Sequence, residues 1–337
     1  SKNFEVEKIY IPFSTDPNLI EQQTEAIRNM KFDYGDLAIV SRPFSYAIKH
    51  KNKVAWFMHH LREFYDLWDT NLNPLKNKKE KYLKIRKKII EYDNQFLKEC
   101  KKIFAISENV KARLKKYNKI HSEVLYPPLD NKEKYSQKEP LYKDFFFFPS
   151  RIAFNKRQHL VIESLKYTKQ NFKLILAGQK EESYFEKKIA PLLEDPVIKN
   201  KLEILDYIDE DKKIDLYSKC LGVVFTPFDE DYGYVTVEAF YSSKSVITTI
   251  DSGGPLEFVE HNKTGIICEP DPIKIAQAMD DLYINKEKAI QMGKKAKELI
   301  ENKNISWEKV INSLTYNLFH NPIKDIFSKV MTFISKR

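Results

Sequence analysis

The second half of the chain alternates short apolar runs with helical patterns, and this alternation constrains the fold more than any other feature. Six such runs follow residue 144: FFFFPS, FKLILAG, LEILDYI, LGVVFTP, VITTI and TGIICEP. Each run is almost continuously apolar, which is typical of strands buried on both faces of a parallel sheet. Parallel strands require crossover connections, and the intervening helical patterns supply them. The pattern therefore predicts an α/β domain with a doubly wound parallel sheet.

The first half shows the same alternation less regularly. Strands are predicted near 5–11, 36–41, 53–59 and 102–107, and helices near 19–30, 76–101 and 108–117. Ser107 is expected to cap the last of these helices. A chain of 337 residues is long for one hydrophobic core and sufficient for two domains. We predict one domain over 1–135, a second over 136–318, and an amphipathic helix over 319–337 that packs back on the first domain or lies on a membrane surface.

The net charge of +9 is concentrated in one stretch of the chain. Residues 71–120 hold sixteen Lys and Arg against five Asp and Glu, an excess of eleven. Such an excess occurs on surfaces that bind nucleic acid, anionic membranes or phosphorylated substrates, and also on solvated helix faces. No zinc-finger, helix-turn-helix or RNA-binding motif accompanies the charge, so we expect no nucleic-acid partner. An anionic membrane surface stays open as a partner.

The cysteines and the apolar runs bear on the compartment. Cys100, Cys220 and Cys268 have neither disulfide nor metal-ligand spacing, and they are expected to pack as small apolar side chains in a reducing cytosol. No apolar run in the sequence is long enough to cross a bilayer. We expect a cytoplasmic protein, with a peripheral position on the inner face of the membrane as the alternative.

Two glutamates, Glu230 and Glu238, flank the point where a predicted strand leads into a helix. Gly233 lies between them and permits a tight turn, after which the helix begins near Tyr234 and Val235. The free N–H groups of a helix N-terminus bind phosphate, and carboxylates accept hydrogen bonds from sugar hydroxyls. The segment therefore predicts a site for a nucleotide sugar. The alternative is an ordinary strand–loop–helix with two solvated glutamates.

Several segments of residues 145–310 resemble the GT4-type retaining glycosyltransferases (glycosyl transferases group 1). EDYGYVTVE (230–238) is similar to the E-x7-E element of that family, and residues 245–259 and 262–267 are similar to its PVIATDxGGxxE and xxTGxLV stretches. The resemblance implies the GT-B fold, in which two Rossmann-like domains with doubly wound parallel sheets face each other. It also implies the transfer of a hexose from a nucleoside-diphosphate sugar.

The resemblance assigns roles to residues of the second half. Arg151 and Lys156 have the spacing of the family's Arg and Lys, which implies contacts to the diphosphate and to the charge that develops as it leaves. Arg157 replaces a family glycine, and which of Lys156 and Arg157 reaches the phosphates stays open. Glu230 would hold hydroxyls of the transferred sugar, and Glu238 those of the ribose. The remaining implied donor residues are Gly233, Tyr234 and Val235 at the phosphates, Tyr207 and Ile208 at the base, and Gly178 where two chain segments approach closely.

Residues of the first half would complete the site. His59 matches the histidine that the family places beside the donor sugar, where an imidazole can hydrogen-bond a hydroxyl. A structural histidine is the alternative. Arg62 and Tyr65 are weaker candidates for contacts to the acceptor. No Gly-rich loop like the one after the family's first strand occurs before residue 250, so either the sequence begins after it or this domain lacks it.

The implied reaction is transfer with retention, without a metal or other cofactor. No carboxylate pair is arranged as in a hydrolase. We expect a UDP- or GDP-sugar as donor and a glycan or lipid-linked acceptor, in the synthesis of cell-surface polysaccharides or glycoconjugates. A nucleotide-sugar epimerase of the same fold and a non-catalytic nucleotide-sugar-binding module are the alternatives.

Overall fold

The computed structural model describes residues 4–75, 79–319 and 329–336. The chain divides into two compact units, one with the residues up to Pro127 and from Ser306 onward, the other Pro128–Ile305. Each unit is built on a six-stranded sheet whose strands pair in parallel. The predicted fold class, α/β with two parallel-sheet domains, is confirmed.

The bounds of the elements follow the predicted alternation. The strands are β1 (Glu5–Pro12), β2 (Leu37–Val40), β3 (Lys53–Phe57), β4 (Lys102–Ala105), β5 (Glu123–Val124), β6 (Phe145–Pro149), β7 (Lys173–Ala177), β8 (Leu202–Leu205), β9 (Gly222–Val224), β10 (Val246–Thr249), β11 (Gly265–Cys268) and β12 (Lys329–Lys336). The helices are α1 (Ile20–Asn29), α2 (Lys79–Lys98), α3 (Glu108–Arg113), α4 (Lys132–Gln137), α5 (Gln158–Ser164), α6 (Glu182–Tyr184), α7 (Pro196–Lys201), α8 (Glu210–Lys219), α9 (Tyr234–Tyr241), α10 (Pro272–Ile284), α11 (Lys286–Asn302) and α12 (Trp307–Phe319).

The sheet of the second unit has the strand order β11-β10-β9-β6-β7-β8. The chain builds outward from β6 through β7 to β8 and then returns to the other side of β6 with β9. Doubly wound sheets bind ligands outside the carboxyl ends of the strands at such a reversal. The continuous apolar run of β6 is buried on both faces, and Phe146, Phe147 and Phe148 are wholly inaccessible to solvent. The loops after β6 and β9 are therefore held on a rigid core.

Local sequence sets where the helices begin. The hydroxyl of Ser107 accepts a hydrogen bond from the N–H of Val110 at 3.0 Å, so the predicted cap of α3 is confirmed. Asp209 caps α8 by accepting from the N–H of Lys212 at 2.7 Å. Each cap satisfies an N–H that has no partner within the helix.

The predicted C-terminal helix is wrong for Lys329–Lys336, which form β12. This strand lies between β1 and β2 and pairs in parallel with both. The segment KVMTFISK is rich in β-branched and aromatic residues, and a short apolar run does not distinguish a helix from a buried strand by periodicity. Because β12 pairs on both sides, its backbone supplies hydrogen-bond partners to β1 and to β2. A surface helix would not supply them. Residues 320–328 and 337 of the predicted helix lie outside the described residues.

The division between the units differs from the predicted domain limits. The break lies at Pro127–Pro128, a few residues before the predicted limit at 135/136, and α12 belongs to the first unit and not to the second. The indole of Trp307 at the start of α12 packs edge-on against Trp56 of β3, with ring centroids 6.1 Å apart. Within the described ranges, none of the helices combines the length and the apolar character needed to cross a bilayer.

Candidate active site

A pocket of about 460 Å³ opens where the ends of β6, β7 and β8 approach the N-terminus of α9. Parallel strands bring their carboxyl ends to the same edge of the sheet, so the loops that follow them meet there. The lining includes seven of the residues predicted to bind the donor: Arg151, Gly178, Tyr207, Ile208, Tyr234, Val235 and Glu238. The second unit thus gathers most of the predicted donor residues into one cavity.

Glu238, in the second turn of α9, is the most enclosed acid of the pocket, with 8% of its surface exposed. Its Oε2 accepts a hydrogen bond from the Tyr217 hydroxyl at 2.7 Å, and its Oε1 accepts from Lys213 Nζ at 2.7 Å. The Tyr135 hydroxyl lies 3.4 Å from the same Oε1. Burial and the negative charge of Glu238 raise the pKa of Tyr217 well above its usual value. The hydroxyl therefore keeps its proton and donates a hydrogen bond to Glu238. These donors fix the carboxylate at the mouth of the pocket.

The backbone turns into α9 at Gly233, in a conformation that favours glycine. Its φ is +87°, and a Cβ there would lie 2.9 Å from the Pro255 ring. The helix begins immediately, and its first residues Tyr234 and Val235 line the pocket. The first N–H groups of a helix point outward along its axis and carry its positive end. This end of the pocket is suited to an anion.

Lys156 and Glu230 form an ion pair between the loops that follow β6 and β9. Lys156 Nζ lies 2.5 Å from Glu230 Oε2, and both side chains are mostly buried. The backbone fixes Glu230 as well: its N–H donates to the carbonyl of Ser252, and its carbonyl accepts from the N–H of Gly254, both at 2.8 Å. The pair therefore has a defined position although it lies in loops.

The side chain of Arg157 points into the protein, where its guanidinium binds other groups of the chain. The residue is 7% exposed, and its guanidinium donates to both carboxylate oxygens of Asp251 at 2.7 Å. It also donates to the carbonyls of Thr226 and Pro227. Burial alone would raise the pKa of Asp251, but the hydrogen bonds and charge of Arg157 hold it below its usual value. The predicted donor contact of Arg157 is therefore not supported, and Lys156 is the cation that remains available for that role.

Gly178 has the structural role predicted for it. A Cβ at this position would lie 2.2 Å from the carbonyl oxygen of Ser150 and 2.9 Å from the N–H nitrogen of Arg151. The loop after β7 can therefore approach the loop after β6 only with glycine here. This close approach places Arg151, which is exposed to solvent and lines the pocket, at the end of β6.

The three predicted residues of the first unit lie close to the end of β3. The ring Nδ1 of His59 is 2.7 Å from the carbonyl oxygen of His60, and the side chain is half-buried. Arg62 pairs with Asp66 at 2.7 Å. Tyr65 is 2% exposed and donates inward to Asp93 at 2.5 Å, so the acceptor contact predicted for it is not supported.

The described residues contain no cluster of three or more His, Cys, Asp or Glu side chains that could hold a metal ion. The pocket lining includes Arg151, the N-terminus of α9 and the Lys213–Glu238 pair, whereas Lys156 and Glu230 lie outside the lining.

The family model described as "Glycosyl transferases group 1" matches residues 131–299, which is half of the chain. The chain belongs to this family. The match begins close to the start of the second unit and covers every residue of the pocket, including both glutamates of EDYGYVTVE.

Curated relatives support the same family. The human alpha-1,3/1,6-mannosyltransferase ALG2 is 30% identical over 191 residues, which are 50% of this chain and 46% of the relative. An uncharacterized glycosyltransferase of Methanocaldococcus jannaschii is 28% identical over 214 residues, covering 62% of this chain and 57% of the relative. The O-antigen chain mannosyltransferase RfbU of Salmonella typhimurium is 26% identical over 157 residues, covering 45% and 43%. The matches span about half the length of these relatives.

Solved structures with low sequence identity show the fold. Sucrose-phosphate synthase from Thermosynechococcus elongatus superposes with a TM-score of 0.74 at 17% identity, covering 92% of this chain and 80% of that one. Anabaena HepE in complex with UDP-glucose superposes with a TM-score of 0.61 at 16% identity, covering 79% and 72%. These likenesses confirm the predicted GT-B fold for this member of the group 1 family.

Two charged residues that line the pocket, Glu210 and Lys213, were not predicted from the sequence. They stand three residues apart at the start of α8, directly after the segment predicted to hold the base. That spacing puts both on one helix face. The charges and their spacing were therefore visible in the sequence, but placing both residues on one helix face required knowing where α8 begins. The donor roles of the predicted residues remain predictions that the geometry accommodates.

Proposed function

We propose that the chain transfers a hexose from a nucleoside-diphosphate sugar to a glycan or lipid-linked acceptor, with retention and without a divalent ion. The observation that carries the proposal is the pocket of the second unit, which combines the N-terminus of α9, Arg151 and the buried carboxylate of Glu238. A helix N-terminus and a guanidinium suit a diphosphate, and a fixed carboxylate suits the two hydroxyls of a ribose. Membership in the group 1 family supports the same chemistry.

Mannose is the first candidate for the transferred sugar. Two of the curated relatives are named as mannosyltransferases, although the matches cover less than half of each relative. The HepE structure holds UDP-glucose, but at 16% identity this likeness shows the fold alone. The sugar is therefore proposed from the names of relatives, and the base requires a separate argument from the pocket.

The paired charges suggest how the leaving group is stabilised. Lys156 Nζ lies 2.5 Å from Glu230 Oε2 and neutralises its charge. When a donor binds, its diphosphate offers Lys156 a stronger partner, and Glu230 becomes available to hydroxyls of the sugar. Lys156, Arg151 and the N-terminus of α9 would then bear the negative charge that develops on the departing nucleotide. Retention is proposed from the resemblance of EDYGYVTVE to the family's E-x7-E element.

The surface of the first unit supports a lipid-linked acceptor. The side chains of Lys81, Lys84 and Lys87 on α2 are exposed, and between them Leu83 is 52% exposed. Lysines beside an exposed leucine suit an anionic membrane surface, where each basic residue adds about 1 kcal/mol of attraction. We propose a peripheral position on the cytoplasmic face of a membrane for this reason.

The test is a transfer assay with mannosyl and glucosyl nucleotides and with acceptors supplied free or in anionic vesicles. We expect transfer in the presence of EDTA, and a rate loss of about 100-fold or more in Lys156→Ala and Glu230→Ala, because each removes a group that contacts the reacting part of the donor. Lys187→Ala, which removes an exposed lysine outside the pocket, is the matched control.

The outcomes separate the proposal from its alternatives. Unchanged rates in both site variants, with the fold confirmed by circular dichroism, would contradict the site assignment. Conversion of the donor to an isomer without acceptor indicates an epimerase. Tight donor binding with no turnover against any acceptor indicates a binding module.

A further inference from the structure

The outer end of the donor pocket carries an acid and a base on the same face of α8. Glu210 and Lys213 both line the pocket and stand three residues apart. The strand order β6-β7-β8 places the start of α8 about 10 Å, two strand spacings, from the end of β6. If the diphosphate lies at Arg151 and the N-terminus of α9, and the ribose at Glu238, this outer end is left for the base.

The two side chains are available to a ligand. Glu210 Oε2 has only long contacts among the described residues, 3.3 Å to Asn131 Nδ2 and 4.0 Å to Lys134 Nζ, and 40% of the side chain is exposed. Lys213 Nζ donates to Glu238 at 2.7 Å, and an ammonium has three hydrogens to donate. The carboxylate can therefore accept two further hydrogen bonds, and the ammonium can serve a ligand carbonyl without leaving Glu238.

We propose that Glu210 and Lys213 read the base of the donor and that this base is guanine, which makes the donor a guanosine-diphosphate sugar. The inference rests on the proposed function of the pocket as a nucleotide-sugar site. Guanine presents two adjacent N–H donors, N1–H and the 2-amino group, beside two acceptors, O6 and N7. A carboxylate can accept hydrogen bonds from the two N–H groups, and an ammonium can donate hydrogen bonds to O6 and N7. Glu210 and Lys213 therefore match the two halves of the guanine edge.

The other bases match this pair less well. Uracil has one N–H between two carbonyl oxygens, so a carboxylate that reaches the N–H is repelled by the oxygen on either side. Adenine offers an amino group next to a ring nitrogen that accepts, and it has no carbonyl for the lysine. A site built to hydrogen-bond a group discriminates strongly against a ligand that lacks it, because the polar groups of the site are then left unpaired.

Calorimetric titration of the whole chain with GDP, UDP, ADP and IDP tests the inference. IDP keeps N1–H and O6 of the guanine edge but lacks the 2-amino group. We expect GDP to bind at least about tenfold more tightly than UDP or ADP, and about five- to tenfold more tightly than IDP. In Glu210→Gln one acceptor oxygen is replaced by an amide that donates, so GDP and IDP should bind equally. UDP should bind at least as tightly as to the unaltered chain, because the repulsion of its carbonyl oxygens is removed.

Glu203→Gln is the matched control, since Glu203 is an exposed acid of β8 outside the pocket lining. It should keep the full preference for GDP over IDP. If UDP binds as tightly as GDP to the unaltered chain, the inference is overturned while the donor site stands. If GDP and IDP bind equally to the unaltered chain, or Glu210→Gln keeps the preference, Glu210 does not read the base. If no nucleoside diphosphate binds, the proposed function fails together with the inference.

Discussion

Replacing Tyr217 with phenylalanine removes one buried hydroxyl from the carboxylate of the donor pocket. That hydroxyl donates to Glu238 Oε2 at 2.7 Å, while the ring packs edge-on against Phe147 with centroids 5.2 Å apart. Phenylalanine keeps the ring and its packing. The change removes this hydrogen bond together with the longer 3.3 Å contact of the hydroxyl to the Val235 carbonyl, and it leaves Glu238 with its contacts to Lys213 and Tyr135 on the other oxygen.

The expected magnitudes follow from the charge and the burial of the acceptor. A hydrogen bond to a charged group contributes about 1.5–3 kcal/mol, and here its loss leaves a buried carboxylate oxygen without its donor. For a unit of this size that corresponds to a fall in Tm of about 3–12 °C. Because Glu238 is then less firmly oriented, we expect the affinity for nucleoside diphosphates to fall about tenfold.

Thermal melts and calorimetric titration with GDP and UDP measure both effects. Tyr142→Phe is the matched control: its hydroxyl donates to the carbonyl of Ser243 at 3.0 Å, in the same unit but outside the pocket lining. It should lower Tm by a few degrees, since a neutral hydrogen bond contributes about 1 kcal/mol, and leave nucleotide affinity unchanged. If Tyr217→Phe lowers Tm and the affinity for both nucleotides stays as it was, Glu238 does not hold the ribose.

Two further predictions concern each unit in turn. Gly178→Ala should lower the free energy of unfolding by about 2–4 kcal/mol and weaken nucleotide binding, because a Cβ would lie 2.2 Å from the Ser150 carbonyl oxygen. Urea melts measure the loss. Gly222→Ala is the control, since its Cβ would meet only ordinary or slightly tight contacts. Burial raises the pKa of Asp93 to about 7 although the hydroxyls of Tyr46 and Tyr65 donate to it, so the folded state binds more protons than the unfolded state between about pH 4 and 7. Asp93 therefore makes the first unit less stable as pH rises through that window. Between pH 5 and 8, Asp93→Asn should remove about 2.7 kcal/mol of this dependence in urea melts, since about two pH units separate pH 5 from the folded pKa; equal dependence in both proteins would contradict the assignment.

The features that could be predicted best from the sequence depend on residues close together in the chain, such as buried strands and turns at glycine. Continuous apolar runs such as β6 predicted the parallel sheet because a strand buried on both faces has few polar positions. Glycine predicted the turn into α9, since Gly233 adopts φ +87° there. Seven of the thirteen lining residues of the pocket were predicted, because they either follow a strand or lie in the first two turns of α9.

Predictions failed where contacts distant in sequence decide the outcome. Tyr135 and Glu238 are 103 residues apart, and no local pattern links them. The sequence left open which of Lys156 and Arg157 reaches the phosphates, whereas in the structure Asp251, 94 residues away, binds the Arg157 guanidinium through both carboxylate oxygens. The strand β12 was mistaken for a helix because its partners β1 and β2 come from the other end of the chain. For β12, long-range pairing overrode local periodicity; for Glu238 and Arg157, a partner distant in sequence set the position of the side chain.

The two lysine–carboxylate pairs explain how a site for an anion can also contain two acids. Two bare carboxylates beside a diphosphate would repel it, but Lys156 and Lys213 neutralise Glu230 and Glu238. The four side chains are 11–28% exposed, so each pair is only partly desolvated and exchanging its partner costs less than it would for a fully buried pair. On the proposed function, phosphate oxygens of the donor would accept hydrogen bonds from Lys156, and neutral hydroxyls would donate to the acids while Lys213 stays on Glu238. The lysines would then offset the carboxylates and, with Arg151, part of the charge of the diphosphate.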